Sequence, residues 1–412
     1  MIGRHNILCF SSTDWDGAWG SRQQVMLRFA RRGCRVLFVE QPAGLEHLLR
    51  YPDLRQRKVR RWREGLRPIV DNLWIVSLPP LLPGRYYWPL INRINQRLTV
   101  HFTNARMHEL TNNAPFAIRH SPFADSPILW LYNPEQGPLI GQFGERLSVY
   151  HCIDEFTAGT LGRKRRTIAA LETELLGRVD LVFANSTLTC ENKRRLNPCT
   201  YRIPSGVDVE HFAQALDPAV PAHPAIARLP QPRIGYIGHV NERLDYAVLE
   251  HLARQRPDWS LVFVGDTYPW TSDAPPLRRL RTFSNVHFLG KYPFADVPAL
   301  VKGMDVCLLP YVGDERACYR SPLKLYEYLA AGLPVVSTEH PEAQELSDVI
   351  YLASTPETFL ERIAQAMAED SPERQRQRVA VAQRHSWDSR VDEMERLIRE
   401  RLYVGQGAVL PL

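Results

Sequence analysis

The chain has 412 residues, a formal net charge of +6 and 44% hydrophobic residues. A chain of this length exceeds one ordinary hydrophobic core, so we expect two domains of about 200 residues each. The seven cysteines form no C-x-x-C pair and mostly lie in apolar runs, which argues against a disulfide framework or a cysteine zinc site. The sequence contains neither a signal peptide nor eighteen consecutive apolar residues, so we expect a cytoplasmic protein.

Short apolar runs alternate with helical stretches along the whole chain. In the first half these runs are 6–10, 35–40, 72–78, 128–132, 148–153, 181–185 and 201–204. In the second half they are 233–238, 260–265, 286–289, 306–310, 334–338 and 349–352. Nearly continuous apolar strands separated by helices predict parallel sheets that are covered on both faces. Two such sets predict an α/β protein with two doubly wound domains.

A proline-rich segment indicates where the domains meet. Residues 217–233 hold five prolines and few periodic positions, which is typical of a linker or an edge loop. We therefore predict a first domain of residues 1–215 and a second of residues 216–385. A final helix is predicted at 386–404, with an apolar stripe on one side.

Residues 321–337, SPLKLYEYLAAGLPVVS, predict a helix whose N-terminus can bind an anion. Ser321 is a predicted N-cap, and Pro322 suits the first helical position. The unpaired N–H groups and partial positive charge of a helix N-terminus suit a phosphate, and Lys324 lies in the first turn. One turn further, Glu327 can accept hydrogen bonds from sugar hydroxyls. The segment therefore fits a nucleotide-sugar diphosphate, and an ordinary amphipathic helix is the alternative.

The loop after the first strand, SSTDWDGAWGSRQQ, is a candidate acceptor site. Gly17 and Gly20 allow the backbone to approach a ligand closely. Sugar or phosphate contacts are expected from Trp19, Arg22 and Gln23. The alternative is plain turn chemistry.

Asp14 and Asp16 in the same loop form a D-x-D, the divalent-metal signature of another class of sugar transferase. Such pairs are frequent by chance, and this one lies too near the N-terminus to be a donor-binding element. We therefore expect no metal and no cofactor, with a nucleotide-diphosphate sugar as the donor substrate.

A further candidate lies at the end of the strand predicted at 148–153, in the sequence YHCIDEFTAGT. Asp154 at that position can orient an acceptor hydroxyl. It can equally cap the helix that follows, for which aspartate is a common residue. Both interpretations remain open from the sequence.

The second domain opens with RIGYIGHVNERLD, whose G-x-x-G spacing is not the dinucleotide fingerprint. Gly238, His239, Asn241 and Arg243 follow the strand at its turn into a helix. A guanidinium there can clamp a diphosphate, and a surface ion pair with Glu242 or Asp245 is the alternative.

The loop before the 321–337 segment ends in Arg320, next to the predicted helix N-terminus. We expect Arg320 and Lys324 to lie on either side of that N-terminus. With Ser321, Pro322 and Leu323, they complete the donor-binding residues predicted for this segment.

Positive charge is concentrated in one part of the first half. Eight cations lie between residues 50 and 67: Arg50, Arg55, Arg57, Lys58, Arg60, Arg61, Arg63 and Arg67. Residues 81–98 then mix Tyr86, Tyr87 and Trp88 with arginines. A basic segment followed by an aromatic-rich amphipathic one fits an anionic membrane surface, and a solvated basic face is the alternative. We expect no nucleic-acid partner, because no DNA- or RNA-binding signature is present.

Several motifs occur in the order seen in family 4 retaining glycosyltransferases: RIPSGVDVEHF, GYIGHVNERLDYAVL, SPLKLYEYLAAGLPVVST and SWDSRVDEME. With WGSRQQVMLRFARRGCRVLFVEQP and YHCIDEF, the resemblance is closest to the branch that makes bacterial surface polysaccharides. It implies the GT-B architecture, in which two Rossmann-like domains face each other across a cleft and the C-terminal helix crosses back onto the first domain. It also implies that the first domain binds a glycan or lipid-linked acceptor and the second binds the nucleotide sugar. Transfer would retain the anomeric configuration and need no metal.

The resemblance also assigns roles to single residues. Glu327 matches the glutamate that holds the nucleotide ribose, and Lys324 and Ser321 match the segment near the donor phosphates. Many family members carry another glutamate ahead of the one that matches Glu327, at the position where this chain has Tyr319. We expect Arg243 and Lys324 to stabilise the leaving diphosphate.

Asp154 completes the predicted catalytic set, on the acceptor side. Two alternatives share the fold: a nucleotide-sugar epimerase, and a catalytically silent homologue that acts as an assembly partner.

Overall fold

The computed structural model describes residues 5–17, 19–84, 87–112, 126–267, 274–319 and 321–404. The chain divides into two compact units, Met1–Pro204 with Arg390–Leu412, and Ser205–Ser389. The boundary predicted at residue 215 lies inside the second unit, because Val207, Phe212 and Ala215 are already buried in its core. No helix in the described ranges is long and apolar enough to cross a membrane.

The first unit contains a sheet with the strand order β3-β4-β2-β1-β5-β6-β7-β8. Its strands are β1 (Asn6–Phe10), β2 (Arg35–Val39), β3 (Leu66–Val70), β4 (Leu73–Val76), β5 (Ile128–Leu131), β6 (Leu147–Cys152), β7 (Leu181–Ala184) and β8 (Thr200–Arg202). Neighbouring strands are parallel, except for the antiparallel pair β3 and β4. Every residue of β1 is buried, in keeping with its continuous apolar sequence.

The helices of this unit lie in the connections between its strands. They are α1 (Ser21–Arg31), α2 (Leu45–Arg50), α3 (Pro52–Glu64), α4 (Pro89–Asn112), α5 (Gly162–Leu176) and α6 (Thr187–Arg194). A short 3-10 helix, Pro134–Leu139, follows β5. Because parallel strands place their carboxyl ends at one edge of a sheet, the loops after β1, β2, β5 and β6 lie at the same edge.

The second unit contains a fully parallel sheet with the order β11-β10-β9-β12-β13-β14. Its strands are β9 (Arg233–Ile237), β10 (Ser260–Val264), β11 (Val286–Gly290), β12 (Val306–Leu309), β13 (Val335–Thr338) and β14 (Tyr351–Ala353). Its helices include α7 (Val209–Ala213), α8 (Pro224–Ala227), α9 (Tyr246–Gln255), α10 (Pro275–Leu280), α11 (Val297–Lys302), α12 (Leu323–Ala330), α13 (Pro341–Gln344), α14 (Pro356–Ala368) and α15 (Pro372–Arg384). The last helix, α16 (Trp387–Val404), begins in this unit, and its residues from Arg390 onward belong to the first.

Each apolar run predicted as a strand overlaps a strand of the structure, so the prediction of two parallel-sheet α/β units is confirmed. The sequence did not predict β3, which carries Arg67 and Pro68 and ends in exposed residues. Proline cannot donate to a sheet ladder and is tolerated at sheet edges, where β3 lies. An edge strand with this composition contains no apolar run by which the sequence could indicate a strand.

Candidate functional site

Two glycines at the carboxyl ends of β9 and β10 form the floor of the candidate donor site. Gly238 has a φ of +154° and Gly265 a φ of +140°, a region that side chains disfavour. A Cβ built on Gly265 would overlap the carbonyl oxygen of Gly238, and one built on Gly238 would overlap Cε of Lys324. Both positions therefore require glycine, because other chain atoms pass directly over them.

Lys324 lies in the first turn of α12, and its side chain crosses Gly238. No side chain caps this helix, since Pro322 occupies the N-cap position and Leu323 is the first helical residue. The N-terminus of α12 therefore presents its partial positive charge beside the Lys324 ammonium. This is the arrangement that the sequence predicted for a phosphate.

The prediction that Ser321 caps this helix is wrong. Its hydroxyl accepts a hydrogen bond from the backbone N–H of Ser205 at 3.0 Å, and the Ser205 hydroxyl donates to the Ser321 carbonyl at 2.9 Å. Ser321 therefore ties the start of α12 to the SGVD segment. Arg320, predicted beside it, lies outside the described residues.

Glu327 is one turn into α12 and is partly exposed. Burial raises the pKa of its carboxyl to about 7, and the nearby Lys324 charge opposes that rise. Among the described residues, this carboxyl has no hydrogen-bond or ion-pair partner within the ordinary distance limits. A carboxyl that is partly desolvated and unpartnered is suited to accept hydrogen bonds from a ligand.

His239 and Tyr236 lie next to this glycine floor. Burial, and next the Lys324 charge, lowers the pKa of His239, so the imidazole is neutral at pH 7. The Tyr236 hydroxyl donates to the His239 carbonyl at 3.2 Å. Burial raises the pKa of Tyr236, and the charge of Arg243 opposes that rise, which places Arg243 within electrostatic reach of the site.

Asn241, predicted to bind the donor, has a structural contact in this turn. Its side-chain oxygen accepts a hydrogen bond from the backbone N–H of Arg243 at 3.0 Å, so it shapes the turn that carries Arg243. The structure therefore gathers Gly238, His239, Lys324 and Glu327 within the second unit, with Arg243 near them.

The sequence missed three residues of this region: Gly265, Asp266 and Lys291. Asp266 follows Gly265 at the end of β10, and the Lys291 ammonium is 3.9 Å from its carboxylate. The signal was present, because a glycine ends each of the strand sequences SLVFVG and VHFLG. Reading every strand end in the sheet, and not only four loops, would have found them.

The raised pKa of Glu327 makes donor binding sensitive to pH. Ribose hydroxyls bind more strongly to the ionised carboxylate than to the neutral acid. The pKa of Glu327 is about 7, so donor affinity should rise as pH increases toward that value and level off above it. Below that pKa, donor affinity should fall by up to about tenfold for each pH unit. Calorimetry of wild type and Glu327→Gln across this range tests it, and an equally steep profile in both proteins would contradict it.

In the first unit, the loop after β1 is held in shape by Gln23. This side chain donates to the carbonyls of Asp14 at 3.3 Å and Trp15 at 3.2 Å, and accepts from the backbone N–H of Gly20 at 3.2 Å. Gln23 is fully buried, so its predicted contact with an acceptor is replaced by a structural role. Trp19 packs edge-on against Trp15, with ring centroids 5.3 Å apart.

Gly17 also takes part in this loop, where its backbone N–H donates to the Asp14 carbonyl at 3.2 Å. A Cβ built on Gly17 would approach that same carbonyl oxygen at 3.0 Å. Beside Gly20 the space is open to at least 4 Å. The Gly20 end of the loop is therefore the part that a ligand can approach.

Arg22 and Asp154 come together at the same edge of the first sheet. The Arg22 guanidinium donates to the Ser12 hydroxyl and lies 5.7 Å from the ring centroid of Tyr132. Burial lowers the pKa of Arg22, and the charge of Asp154 is among the influences that oppose this. Beneath them, burial lowers the pKa of His151 to about 3, so this ring is neutral.

Asp154 does not cap the following helix, because α5 begins at Gly162 with Leu161 at its N-cap. The capping alternative is therefore wrong. The neighbouring Glu155 is anchored inward: the Lys193 ammonium contacts Glu155 at 2.8 Å and Glu172 at 2.7 Å, and all three side chains are buried. This anchor fixes the segment that carries Asp154.

The D-x-D carboxylates are compensated by cations of the chain itself. Asp14 pairs with Lys58 and with Arg61 at 3.3 Å, and Asp16 pairs with Arg61 at 2.6 Å and Arg67 at 3.4 Å. Over the ranges that the structure describes, no group of three His, Cys, Asp or Glu residues could hold a metal ion. A divalent cation at Asp14 and Asp16 would have to displace these partners.

The same contacts change the interpretation of the basic segment 50–67. Lys58 and Arg61 are buried, and Arg67 pairs with Glu40 at 3.2 Å. The exposed cations of α3 are Arg55, Arg57, Arg60 and Arg63. The segment therefore contains both an inward structural set and an outward set, and is not a single basic face.

A small cavity of about 20 Å³, room for about one water molecule, lies at the carboxyl ends of β1, β2 and β5. Its polar lining includes Ser11, Glu40, Gln96, Asn133 and Glu135. The sequence did not predict it, because Gln96 comes from α4 and the last two residues follow β5 in YNPEQG. Nothing local in these segments shows that they converge.

Known proteins resemble this chain in both sequence and fold. Residues 231–369 match the family model of the Glycosyl transferases group 1. This match confirms the resemblance to glycosyltransferases for that segment, which includes the sheet and the glycine floor of the second unit. A putative teichuronic acid biosynthesis glycosyltransferase, TuaH of Bacillus subtilis (strain 168), is 27% identical over 209 residues, covering 48% of this chain and 52% of TuaH. The chain thus spans about half the length of this curated relative.

Solved structures show that the fold is GT-B, as expected. Anabaena Alr3699/HepE in complex with UDP and glucose aligns with a TM-score of 0.62 and 16% identity, covering 96% of this chain and 100% of that one. Sucrose-phosphate synthase from Thermosynechococcus elongatus aligns with a TM-score of 0.64 and 18% identity, covering 98% and 100%. At these identities the likeness concerns the fold alone.

Proposed function

We propose that the chain is a retaining glycosyltransferase of family 4 that moves a sugar from a nucleotide-diphosphate sugar to a glycan or lipid-linked acceptor in polysaccharide biosynthesis. The observation that carries the proposal is the position of Lys324, whose side chain crosses Gly238 beside the uncapped N-terminus of α12. One turn further, Glu327 presents a carboxyl that has no hydrogen-bond or ion-pair partner among the described residues. The named activity of TuaH and the UDP bound to HepE support the same donor class.

In the proposed reaction, the bond between the sugar and the diphosphate breaks and the leaving nucleoside diphosphate gains negative charge. Lys324, Arg243 and the N-terminus of α12 stabilise that charge as it develops. The acceptor hydroxyl attacks the anomeric carbon on the face from which the diphosphate leaves, and its proton passes to the departing phosphate oxygen. Configuration is retained, and the reaction requires no nucleophile from the chain.

The acceptor is assigned to the first unit. Asp154 can accept a hydrogen bond from the reacting hydroxyl and orient it, and the Arg22 guanidinium beside it carries further N–H donors. We place the reaction on the cytoplasmic side of a membrane, where nucleotide sugars are the donors for surface polysaccharide.

Product analysis with the full chain tests this function. The chain is incubated with nucleotide sugars and a mixture of glycan and lipid-linked acceptors, and the products are examined by NMR. We expect a new glycosidic bond with the anomeric configuration of the donor. Inversion would overturn the retaining mechanism, an altered sugar without transfer would indicate an epimerase, and absence of both would indicate a silent homologue.

The ion-paired D-x-D leads to a prediction on metals. Because Lys58, Arg61 and Arg67 already compensate Asp14 and Asp16, we propose that transfer needs no divalent cation. A chelator should leave the transfer rate unchanged. Loss of activity in chelator, with recovery on addition of manganese or magnesium, would contradict this and would point to Asp14 and Asp16.

A further inference from the structure

The first half of α4 has its polarity reversed. Its inward side chains are polar and almost fully buried: Asn92, Asn95, Gln96, Thr99 and Thr103. Its outward side chains at helical spacing are apolar, with Leu90 68%, Ile94 38% and Leu98 36% exposed. A surface helix of a globular protein normally buries its apolar stripe and exposes its polar one. The reversal indicates that the outer face of α4 is adapted to an environment other than water.

Polar contacts fix this orientation. The Asn95 side chain accepts from the backbone N–H of Leu82 at 2.8 Å and donates to its carbonyl at 3.0 Å. Gln96 donates to the Glu135 carbonyl at 3.0 Å and lines the small cavity at the sheet edge. Rotating α4 to bury its apolar stripe would break these hydrogen bonds and leave buried polar groups without partners. These inward hydrogen bonds fix the rotation of α4, and its apolar side therefore faces outward.

The exposed apolar surface extends beyond α4 itself. Tyr87 and Trp88, just before the helix, are 47% and 57% exposed. Leu82, which Asn95 holds against α4, is also exposed. Next to it, the backbone N–H of Leu45 donates to the Leu81 carbonyl at 2.9 Å, so the start of α2 adjoins the same region.

The charged side chains on the outer face of α4 have one sign. Arg93 and Arg97 are exposed between the apolar residues of α4. Arg163 lies 5.5 Å from the ring centroid of Trp88. The sequence contains no aspartate or glutamate between residues 72 and 108. Aromatic rings, aliphatic side chains and arginines on one helix face fit the boundary between lipid headgroups and acyl chains.

We propose that the α4 face, defined as Tyr87, Trp88, Leu90, Arg93, Ile94, Arg97 and Leu98, binds the surface of an anionic lipid bilayer. Its aliphatic and indole groups enter the headgroup region, and its guanidinium groups contact lipid phosphates. The sequence-based assignment of membrane contact covered residues 50–67 together with 81–98. This proposal narrows it to the second segment, because several cations of the first serve inside the first unit.

The inference rests in one respect on the proposed function, because it concerns the acceptor. The inner side of α4 faces the sheet edge that also carries Arg22 and Asp154, and it lines a small cavity there. A helix with lipid on one side and that sheet edge on the other allows the lipid of a lipid-linked acceptor to stay in the bilayer while its sugar reaches the loops that carry Arg22 and Asp154. The acceptor class that this geometry favours is therefore lipid-linked.

Co-sedimentation with vesicles tests the proposal. Wild type is compared with Leu90→Ser/Ile94→Ser and Arg93→Ser/Arg97→Ser on vesicles of phosphatidylglycerol and phosphatidylcholine, and on pure phosphatidylcholine. The matched control is Arg57→Ser/Arg60→Ser, which removes the same charge from the exposed face of α3. Since a cation near an anionic surface contributes about fivefold in affinity, losing Arg93 and Arg97 should weaken binding about thirtyfold. Leu90→Ser/Ile94→Ser should weaken vesicle binding about tenfold or more.

The control should bind nearly as well as wild type, and pure phosphatidylcholine should bind each protein weakly. The proposal is overturned if wild type does not bind anionic vesicles at low salt, or if the control loses as much affinity as the α4 variants. It is also overturned if Leu90→Ser/Ile94→Ser converts a dimer of the wild type into monomers in analytical sedimentation and leaves vesicle binding unchanged. Nucleotide-sugar binding by each variant is measured in parallel without vesicles, so that failure of the proposed function is seen separately.

Discussion

Replacing Lys324 by methionine should lower kcat about 100- to 1000-fold, in the range known for the loss of one group that stabilises developing charge. The ammonium lies across Gly238, where the leaving diphosphate is proposed to bind. Its charge acts most strongly when the diphosphate departs, so kcat should fall more than KM rises. Methionine keeps much of the side-chain length over Gly238 and removes only the charge. Steady-state kinetics with saturating acceptor measure the effect.

The matched control for this variant is Arg376→Met, which removes an exposed cation from α15 in the same unit. It should leave kcat unchanged, because surface charges far from the diphosphate are screened by water and salt. If Lys324→Met keeps a kcat close to that of wild type, Lys324 does not stabilise the leaving group. Arg243→Met is expected to act in the same direction as Lys324→Met.

Replacing Glu327 by alanine should weaken donor binding by about 2–4 kcal/mol, because two hydrogen bonds to a charged acceptor are lost. Its carboxyl has no partner of its own among the described residues, so its removal leaves no protein group unpaired. The effect should be visible in the binding of the nucleotide sugar and of the free nucleoside diphosphate alike. Calorimetry at a pH above about 7, where the carboxyl is ionised, measures both.

Two control variants separate this role from a general loss of charge. Glu327→Gln keeps hydrogen-bond acceptors without the charge and should lose less affinity than alanine. Glu357→Ala removes an exposed carboxylate at the start of α14 and should bind the donor normally. Donor affinity in Glu327→Ala equal to that of wild type would show that this carboxyl does not hold the ribose.

Much of the fold could be predicted from sequence because parallel strands that are buried on both faces are continuously apolar. Segments such as NILCF and SLVFV stand out against the polar helices between them. The edge strand β3 carries Arg67 and Pro68 and lacks that pattern. The unit boundary was placed late because residues 205–216 look like a tail of the first unit, yet they pack into the second.

The donor site could be predicted in part, because a lysine and a glutamate one turn apart at a helix start are visible in the sequence. The crossing of Lys324 over Gly238 could not be predicted, since it depends on the distance between two loops far apart in the chain. For the same reason, Ser321 looked like an N-cap while its true partner is Ser205. Local propensity indicates which residues can cap a helix, but tertiary contacts decide which of them do.

Residues with two plausible environments gave the weakest predictions in the first unit. Lys58 and Arg61 look like part of a solvated basic run, and only the fold shows that they pair with Asp14 and Asp16. The reversed polarity of α4 is also hidden, because its sequence shows which residues share a face and not which face is buried. In both cases the burial of one face is a long-range property.

The central claim is that the second unit binds a nucleotide-diphosphate sugar through Lys324, Glu327 and the glycine floor. Calorimetric titration of the full chain with a panel of nucleotide sugars tests it most directly, with Lys324→Met and Glu327→Ala titrated beside wild type. We predict that at least one nucleotide sugar binds wild type, and that each substitution weakens that binding while the fold stays intact by circular dichroism. If no nucleotide sugar binds wild type, or if both variants bind as wild type does, the claim is contradicted.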